Sequence, residues 1–142
     1  MDSKGVTGFP MRLVVTAVIL SLCIPVLAEM ADGFREQASE TEALRQISII
    51  EDISSSLFYH GPGSSRVVEI DIPAGYELWI GGEGAYAYSV SLMYGDTPVK
   101  KVFMEHPSIP FSEETVKLSG HLTLRLECQK SDDGCCIGVT EL

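Results

Sequence analysis

The sequence predicts an α+β fold in which one long N-terminal helix precedes a small antiparallel β-sandwich of about seven strands. The first sixty residues contain an apolar run and then apolar residues at helical spacing, whereas apolar residues after position 65 alternate with polar ones. The stretch His60-Gly61-Pro62-Gly63-Ser64-Ser65 separates the two patterns, because glycine and proline at this density end a helix. The change of period from about 3.6 to 2 predicts the fold class.

The predicted helix opens with a segment of membrane character. Residues 13–28 are apolar apart from Thr16 and Ser21, and ten of them are Leu, Ile or Val. Together these ten favour membrane insertion by about 3–6 kcal/mol. The segment spans about 24 Å against a hydrocarbon core of ~30 Å, and the long side chains of Arg12 and Glu29 can cover the difference. One membrane span is therefore predicted, as residues 6–28.

The charges on the two sides of this segment predict its orientation. Lys4 and Arg12 precede it, while the chain from Glu29 onward has eight Lys and Arg against nineteen Asp and Glu, a net charge of −11. Basic residues hold their end of a membrane helix in the cytoplasm, so the acidic remainder is expected outside the cell. An acidic chain without a basic stripe excludes nucleic-acid binding.

Three fates of the front segment are open. Val26-Leu27-Ala28 offers small residues for a conventional signal-peptide cut before Glu29, which would release a secreted protein. Without any cut, the segment is a plain anchor. The third fate depends on Lys4-Gly5-Val6-Thr7, a basic residue and glycine a few positions before the apolar run.

Through Lys4, Gly5 and Val6 the chain resembles archaeal type IV pilin-like proteins with class III signal peptides. The resemblance implies a prepilin peptidase that cuts between Gly5 and Val6, removes residues 1–5 as a leader and keeps the apolar helix. Many pilins have Glu as the fifth mature residue, where this chain has Pro10. This departure and Arg12 favour a minor pilin or an archaellum-accessory-like protein over a major filament subunit.

Residues 29–60 are predicted to form an amphipathic stem. Ala43, Ile47, Ile50 and Leu57 recur at helical spacing, with Leu44 and Phe58 beside them. Ile49 and Ile53 fall off this face, so a short strand through residues 47–49 is an alternative, although the pattern favours helix. A membrane helix, a stem and then a small head is the plan of pilins; the alternative is the ordinary first helix of a secreted domain.

Residues 64–142 are predicted to form an extracytoplasmic β-sandwich. Alternating runs are punctuated by Gly and Pro turns such as Gly81-Gly82-Glu83-Gly84. Tyr86 and Tyr88 are assigned to a strand face shared with Val90 and Leu92, which favours core positions; the alternative is an exposed contact face. Trp79 has the opposite parity to its apolar neighbours, so it is predicted to face away from the core as a possible contact residue, or to be buried by the stem. The predicted strands run through residues 68–72, 78–80, 86–92, 99–104, 115–118, 121–128 and 135–141.

Parity along the last two strands predicts a disulfide between Cys128 and Cys135, both on the buried face. Cys136 points the other way and is left over for a cross-link or a core position. Three reduced thiols are the alternative. A zinc site from these cysteines and a histidine lacks the usual spacing, because Cys135 and Cys136 are adjacent.

Catalytic motifs are not recognised in the sequence. His60, His106 and His121 lie far apart in different turns or strand ends, and Asp132-Asp133-Gly134 is an ordinary turn signal. No cofactor and no enzymatic activity are expected. The predicted function is structural: a single-pass cell-surface protein processed by a prepilin peptidase, whose partners are a membrane assembly platform and other pilin-like subunits. The alternative is a secreted or anchored binding or adhesion module that uses Trp79 for contact.

Overall fold

The structure is a computed structural model that describes residues 4–142, with side chains from residue 10 onward. It has one long helix followed by seven strands in two antiparallel sheets, which confirms the predicted α+β class. The helix α1 is Lys4–His60, and a short 3-10 helix occupies Gly84–Tyr88. The strands are β1 (Ser65–Ile72), β2 (Tyr76–Ile80), β3 (Ser89–Tyr94), β4 (Thr97–Phe103), β5 (Val116–Leu118), β6 (Gly120–Ser131) and β7 (Gly134–Glu141).

The chain divides into two compact units, Met1–Ala38 and Ser39–Leu142. Helix α1 contributes to both. Every described side chain from residue 10 to residue 38 is exposed, and burial along the helix begins at Ser39. The predicted stem begins at residue 29, but the part of it that packs against the sheets begins about ten residues later, at Ser39.

A glycine ends α1. Gly61 has a φ of +86°, and its N–H donates to the carbonyls of Leu57 (3.1 Å) and Phe58 (3.2 Å). This left-handed residue after the last helical turn satisfies carbonyls that would otherwise lack donors. The following turn is joined to β6, since Gly63 N–H donates to the Cys128 carbonyl (2.9 Å) and Cys128 N–H donates to the Ser64 carbonyl (2.8 Å).

The helix and both sheets share one core. The predicted face of Ala43, Ile47, Ile50 and Leu57 is buried, as expected. Ile53 is predicted to lie off that face, but it is buried too, at 8% exposure. The buried stripe is wider than predicted because it joins a core to which both sheets contribute. The strand alternative for residues 47–49 is wrong because they are helical. The sheets contribute Ile70, Ile72, Leu78, Ile80, Val90, Leu92, Leu118, Leu124, Leu126, Cys128 and Ile137, among others.

The two sheets have the strand orders β1-β6-β7 and β4-β3-β2-β5. The predicted strands near residues 99–104, 115–118, 121–128 and 135–141 agree with β4 to β7 within a few residues. The predicted strand through Tyr86 and Tyr88 is wrong: both lie in the 3-10 helix, at 52% and 37% exposure, and β3 begins only at Ser89. The 3-10 turn breaks the alternation of sides, so these tyrosines do not continue the buried face of β3.

Two glycines before the 3-10 helix bring distant backbone segments together. Gly81 has a φ of +76°, and a Cβ there would lie 2.4 Å from the Ser112 carbonyl oxygen. Gly82 N–H donates to that same carbonyl at 3.1 Å. The close approach of these backbones requires glycine, and it fixes the segment after β2 against the segment before β5.

The helix stripe is expected to control the stability of the β-sheets. Ile50→Ala, at a fully buried position, is expected to lower the free energy of unfolding by about 2–5 kcal/mol, because the lost side chain leaves a cavity in the shared core. Ile19→Ala, at 54% exposure in the same helix, is the matched control and should leave it nearly unchanged. Urea unfolding of the full chain in zwitterionic micelles, followed by β-sheet circular dichroism, measures both; equal effects would contradict the assignment.

One buried hydroxyl is expected to destabilise the protein. Ser54 is fully buried in the helix stripe, and its Oγ has no hydrogen-bond partner among the described residues. A buried unsatisfied hydroxyl costs about 1–3 kcal/mol, so Ser54→Ala is expected to raise the free energy of unfolding by about 1 kcal/mol. Ser56→Ala makes the same chemical change at a half-buried position of the same helix and separates this effect from helix propensity. A loss of stability in Ser54→Ala would show that the hydroxyl is bonded.

Candidate functional site

The first part of α1 presents apolar side chains on all sides. Every Met, Leu, Ile, Val and Phe between residues 11 and 34 is more than half exposed, as in Leu22 (68%) and Ile24 (63%). Consecutive apolar residues such as Leu13, Val14 and Val15 point about 100° apart around the helix, so no polar face remains for water. An 18-residue stretch of this helix has a mean hydropathy of 2.4, so α1 is long and apolar enough to span a membrane.

Both polar side chains within the apolar run are satisfied inside the helix. Thr16 Oγ1 donates to the Arg12 carbonyl at 2.8 Å, and Ser21 Oγ donates to the Ala17 carbonyl at 2.8 Å. In hydrocarbon a hydroxyl has no water to bond with, so this bonding to the preceding turn lets the segment enter lipid without an unsatisfied donor. Pro25, also in the run, removes one backbone donor from the helix.

The predicted processing site lies at the start of α1. The helix begins at Lys4, so Lys4, Gly5 and Val6 belong to its first turn. Their side chains lie outside the described residues, and cleavage between Gly5 and Val6 stays a prediction.

A row of side chains crosses the outer face of the four-stranded sheet. The register pairs Trp79 with Ser91 on one side and with Lys117 on the other, and Ser91 with Lys101. The row therefore reads Lys101, Ser91, Trp79, Lys117 across β4, β3, β2 and β5. Trp79 lies on the face opposite the buried Leu78 and Ile80, as its parity predicts.

Trp79 is held in one position by two neighbours. Its Nε1–H donates to Glu77 Oε2 at 2.9 Å, and the Lys117 ammonium lies 4.1 Å from the ring centroid. An ammonium over an indole face at this distance is attracted by the ring quadrupole. The indole is thus oriented before any ligand or partner arrives, and it is only half-buried.

A cleft of about 260 Å³ lies beside Trp79. Tyr86 and Lys101 line it as well, with the Lys101 ammonium 4.2 Å from the Tyr86 ring centroid. Ser89 and Ser91 line it from β3 and are 2% and 5% exposed. Ser89 Oγ donates to the Tyr86 carbonyl at 2.9 Å.

The cysteines of the last hairpin are close together but not bridged. Cys23, Cys128, Cys135 and Cys136 are all free thiols, so the predicted Cys128–Cys135 disulfide is not formed in this structure. The predicted faces are right, since Cys128 is fully buried and Cys135 packs against the core. The register explains the outcome: Cys128 pairs with Ile137 and Cys135 with Lys130, so the two cysteines are diagonal neighbours. Diagonal positions are about 7–8 Å apart, beyond the usual Cα separation of a disulfide.

The Cys128 thiol is protected in its neutral form. Burial raises the pKa of Cys128 to about 11, and a hydrogen bond with Cys135 and the nearby Cys135 and Cys136 contribute in the same direction. Because the folded state holds this proton more tightly than the unfolded chain, the stability that it contributes below about pH 9 is lost as the pH rises to about 11.

The other polar candidates from the sequence stay apart. His60 ends α1, His106 follows β4 and His121 is in β6, while Asp132 and Asp133 are exposed between β6 and β7. Among residues 10–142, no group of three His, Cys, Asp or Glu side chains is arranged to hold a metal ion.

No protein-family model, no curated protein and no solved structure matches this chain. The Trp79 cleft is therefore characterised by its own residues alone. Sequence reasoning identified Trp79, favoured the core over a contact face for Tyr86, and did not identify Ser91 or Lys101. The register and the 3-10 turn bring these three residues to Trp79. Ser91 had a usable signal, since a serine between Val90 and Leu92 marks the outer face of a strand that is otherwise apolar.

The cysteine geometry predicts unequal alkylation. With a pKa of about 11, only on the order of one Cys128 thiol in a thousand is ionised at pH 8, so iodoacetamide is expected to leave Cys128 unmodified in the folded protein. The half-buried Cys136 in the same hairpin is the internal control and should react faster. Peptide mass spectrometry after timed labelling measures both residues.

Labelling of the unfolded protein completes this test. All four cysteines should then react, each adding one label. If Cys128 and Cys135 stay unlabelled after unfolding without reductant and the intact mass is lower by two hydrogens, they are bridged in the isolated protein. Equal labelling rates of Cys128 and Cys136 in the folded protein would contradict the burial.

Proposed function

We propose that this chain is a membrane-anchored, pilin-like structural protein of the cell surface, of the minor-pilin or archaellum-accessory type. A prepilin peptidase removes residues 1–5, the apolar part of α1 stays in the membrane, and the acidic β-rich domain lies outside the cell. The partners are a membrane assembly platform and other pilin-like subunits. The role is structural rather than catalytic.

The observation that carries the proposal is the continuity of α1. One helix of 57 residues contains both the exposed apolar segment and the stripe of Ala43, Ile47, Ile50, Ile53 and Leu57 that completes the core of the β-sheets. A secreted domain needs only the second part. A pilin-like protein needs both in one element, because the helix anchors the domain in the membrane and packs on neighbouring helices after assembly.

The exposed apolar surface of α1 is suited both to lipid and to packing on neighbouring helices. In the bilayer, lipid surrounds the side chains of residues 13–28, and no hydrophobic gain remains for helices that associate there. Association is then driven by packing, to which a surface of Val, Ile and Leu without a charged residue between Arg12 and Glu29 is suited. The internal bonds of Thr16 and Ser21 serve equally well in lipid and in a helix bundle.

The charge distribution supports the orientation. Lys4 and Arg12 precede the apolar run, and basic residues at this position favour a cytoplasmic N-terminus, the side on which a prepilin peptidase acts. The net charge of −11 beyond the run is compatible with an outside domain, since Asp and Glu contribute little to the orientation rule.

An anchored binding module is the second candidate, favoured by a specific observation. The Trp79 indole is fixed by Glu77 and Lys117 beside a cleft on an outer sheet face, where a purely structural domain needs no oriented aromatic. The two candidates are compatible, because a pilin-like anchor can present a binding domain.

The processing site gives the direct test. The mature protein from its native membrane is expected to begin at Val6, as measured by N-terminal sequencing and intact mass. Gly5→Leu is expected to abolish this cut and leave the precursor at full length, since the resemblance assigns Gly5 to the cleavage site. Ala28→Leu is the matched control: it should change nothing if the pilin-like processing is right.

Other first residues overturn the proposal in distinct ways. A mature chain that begins at Glu29, with cleavage blocked by Ala28→Leu, identifies a secreted domain. A chain that keeps its first five residues in the native membrane identifies a plain anchor.

A further inference from the structure

We propose that the Trp79 cleft binds a single saccharide ring, such as a terminal sugar of a surface glycan. This inference rests on the cleft alone and does not depend on how the N-terminus is processed.

The cleft is formed by small residues among large ones. Ser89 and Ser91 occupy successive outward positions of β3, while Trp79 on β2 and Lys101 on β4 flank Ser91 in the register. The short serines form a floor, and the taller side chains form walls on both sides. The volume of about 260 Å³ lies just below the 300–1,000 Å³ typical of pockets for drug-sized ligands, which is suitable for one ring.

The floor offers a hydroxyl to a ligand. Ser91 lines the cleft and is 5% exposed, so its Oγ can donate to or accept from a ligand that enters there.

The walls combine aromatic rings with donors and acceptors. Trp79 and Tyr86 supply ring surface, the Lys101 ammonium supplies donors, and Glu83 supplies carboxylate acceptors. Neither Lys101 nor Lys117 forms an ion pair with a described residue, so both keep donors available. A sugar ring matches this set, because it has an apolar C–H face for an aromatic ring and hydroxyl edges that donate and accept.

Electrostatics disfavour nucleotides as ligands of the cleft. The chain has a net charge of −10, which repels the phosphates of nucleotides, and the lining contains one cation, Lys101, balanced by one carboxylate, Glu83. A near-neutral cleft with both donors and acceptors therefore favours an uncharged polyol ring. The fixed Trp79 indole reduces the entropy lost on binding such a small ligand.

The chain offers a direct probe, because Trp79 is its only tryptophan. Full-length protein in zwitterionic micelles, without sugar-headed detergent, is titrated with glucose, galactose, mannose and N-acetylglucosamine up to about 50 mM. At least one sugar is expected to change the indole fluorescence saturably, with a Kd on the order of 1–10 mM, as for a ligand of about a dozen heavy atoms. Sorbitol, an open-chain polyol, is the solute control and should give no saturation.

Matched variants locate the binding. Ser91→Leu fills the floor and should abolish the saturable change while keeping the reporter. Lys101→Ala should weaken binding about tenfold, by loss of a charged donor, whereas Lys100→Ala, the exposed neighbour on β4, should leave Kd unchanged. Trp79→Leu should abolish the saturation-transfer NMR signal of the bound sugar. Circular dichroism checks that each variant keeps the wild-type β-sheet spectrum.

The proposal is overturned by any of three results. The first is no saturable change with any of the four sugars. The second is equal weakening by Lys101→Ala and Lys100→Ala. The third is concentration-dependent self-association that Trp79→Leu removes and that sugars do not affect, which would assign the cleft to a second copy of the chain.

Discussion

The packing of one helix stripe into a core shared with two small sheets is the interaction on which the rest of the structure depends. The sheets have three and four strands, and buried side chains from both join Ala43, Ile47, Ile50, Ile53 and Leu57 in that core. A domain of about a hundred residues has little core to spare, so the helix is part of the domain and not an appendage of it. A shortened form of this chain therefore needs residues 39–60 for its β-sheets to stay folded.

The shape of the outer face of the four-stranded sheet depends on the sizes of its side chains. β3 is buried on its inner face by the core and on its outer face by side chains from its two neighbours. Because its outward residues are serines, those neighbours stand above it and leave a cleft. The glycine pair after β2 closes the nearby loop against the backbone of Ser112, which holds Tyr86 at the cleft. A groove with an aromatic wall therefore results from small residues at two places in the chain, the serines of β3 and the glycine pair after β2.

The sequence is sufficient to predict features that depend on local period. The helix, its buried stripe, most strands and the outward direction of Trp79 follow from which positions are apolar. Features that depend on register are not accessible in this way. A register shift at Leu92/Met93 determines that Lys101 lies opposite Ser91, and the pairing of Cys128 with Ile137 separates it from Cys135. Tyr86 and Tyr88 depart from the prediction because a 3-10 turn has no signature in alternation. Ile53 departs from it because the core shared with both sheets buries a wider stripe of the helix than its apolar spacing indicates.

The junction after α1 has a mechanical consequence. A pulling force along the helix is transmitted to Gly61, but the glycine turn is not the only part of the chain that bears this force. The turn is clamped to Cys128 by two backbone hydrogen bonds, and β6, the strand that contains Cys128, is paired along both edges. A pull along α1 is thus distributed over the central strand of a sheet and the buried stripe together, so the helix cannot separate from the sheet by opening the glycine turn alone.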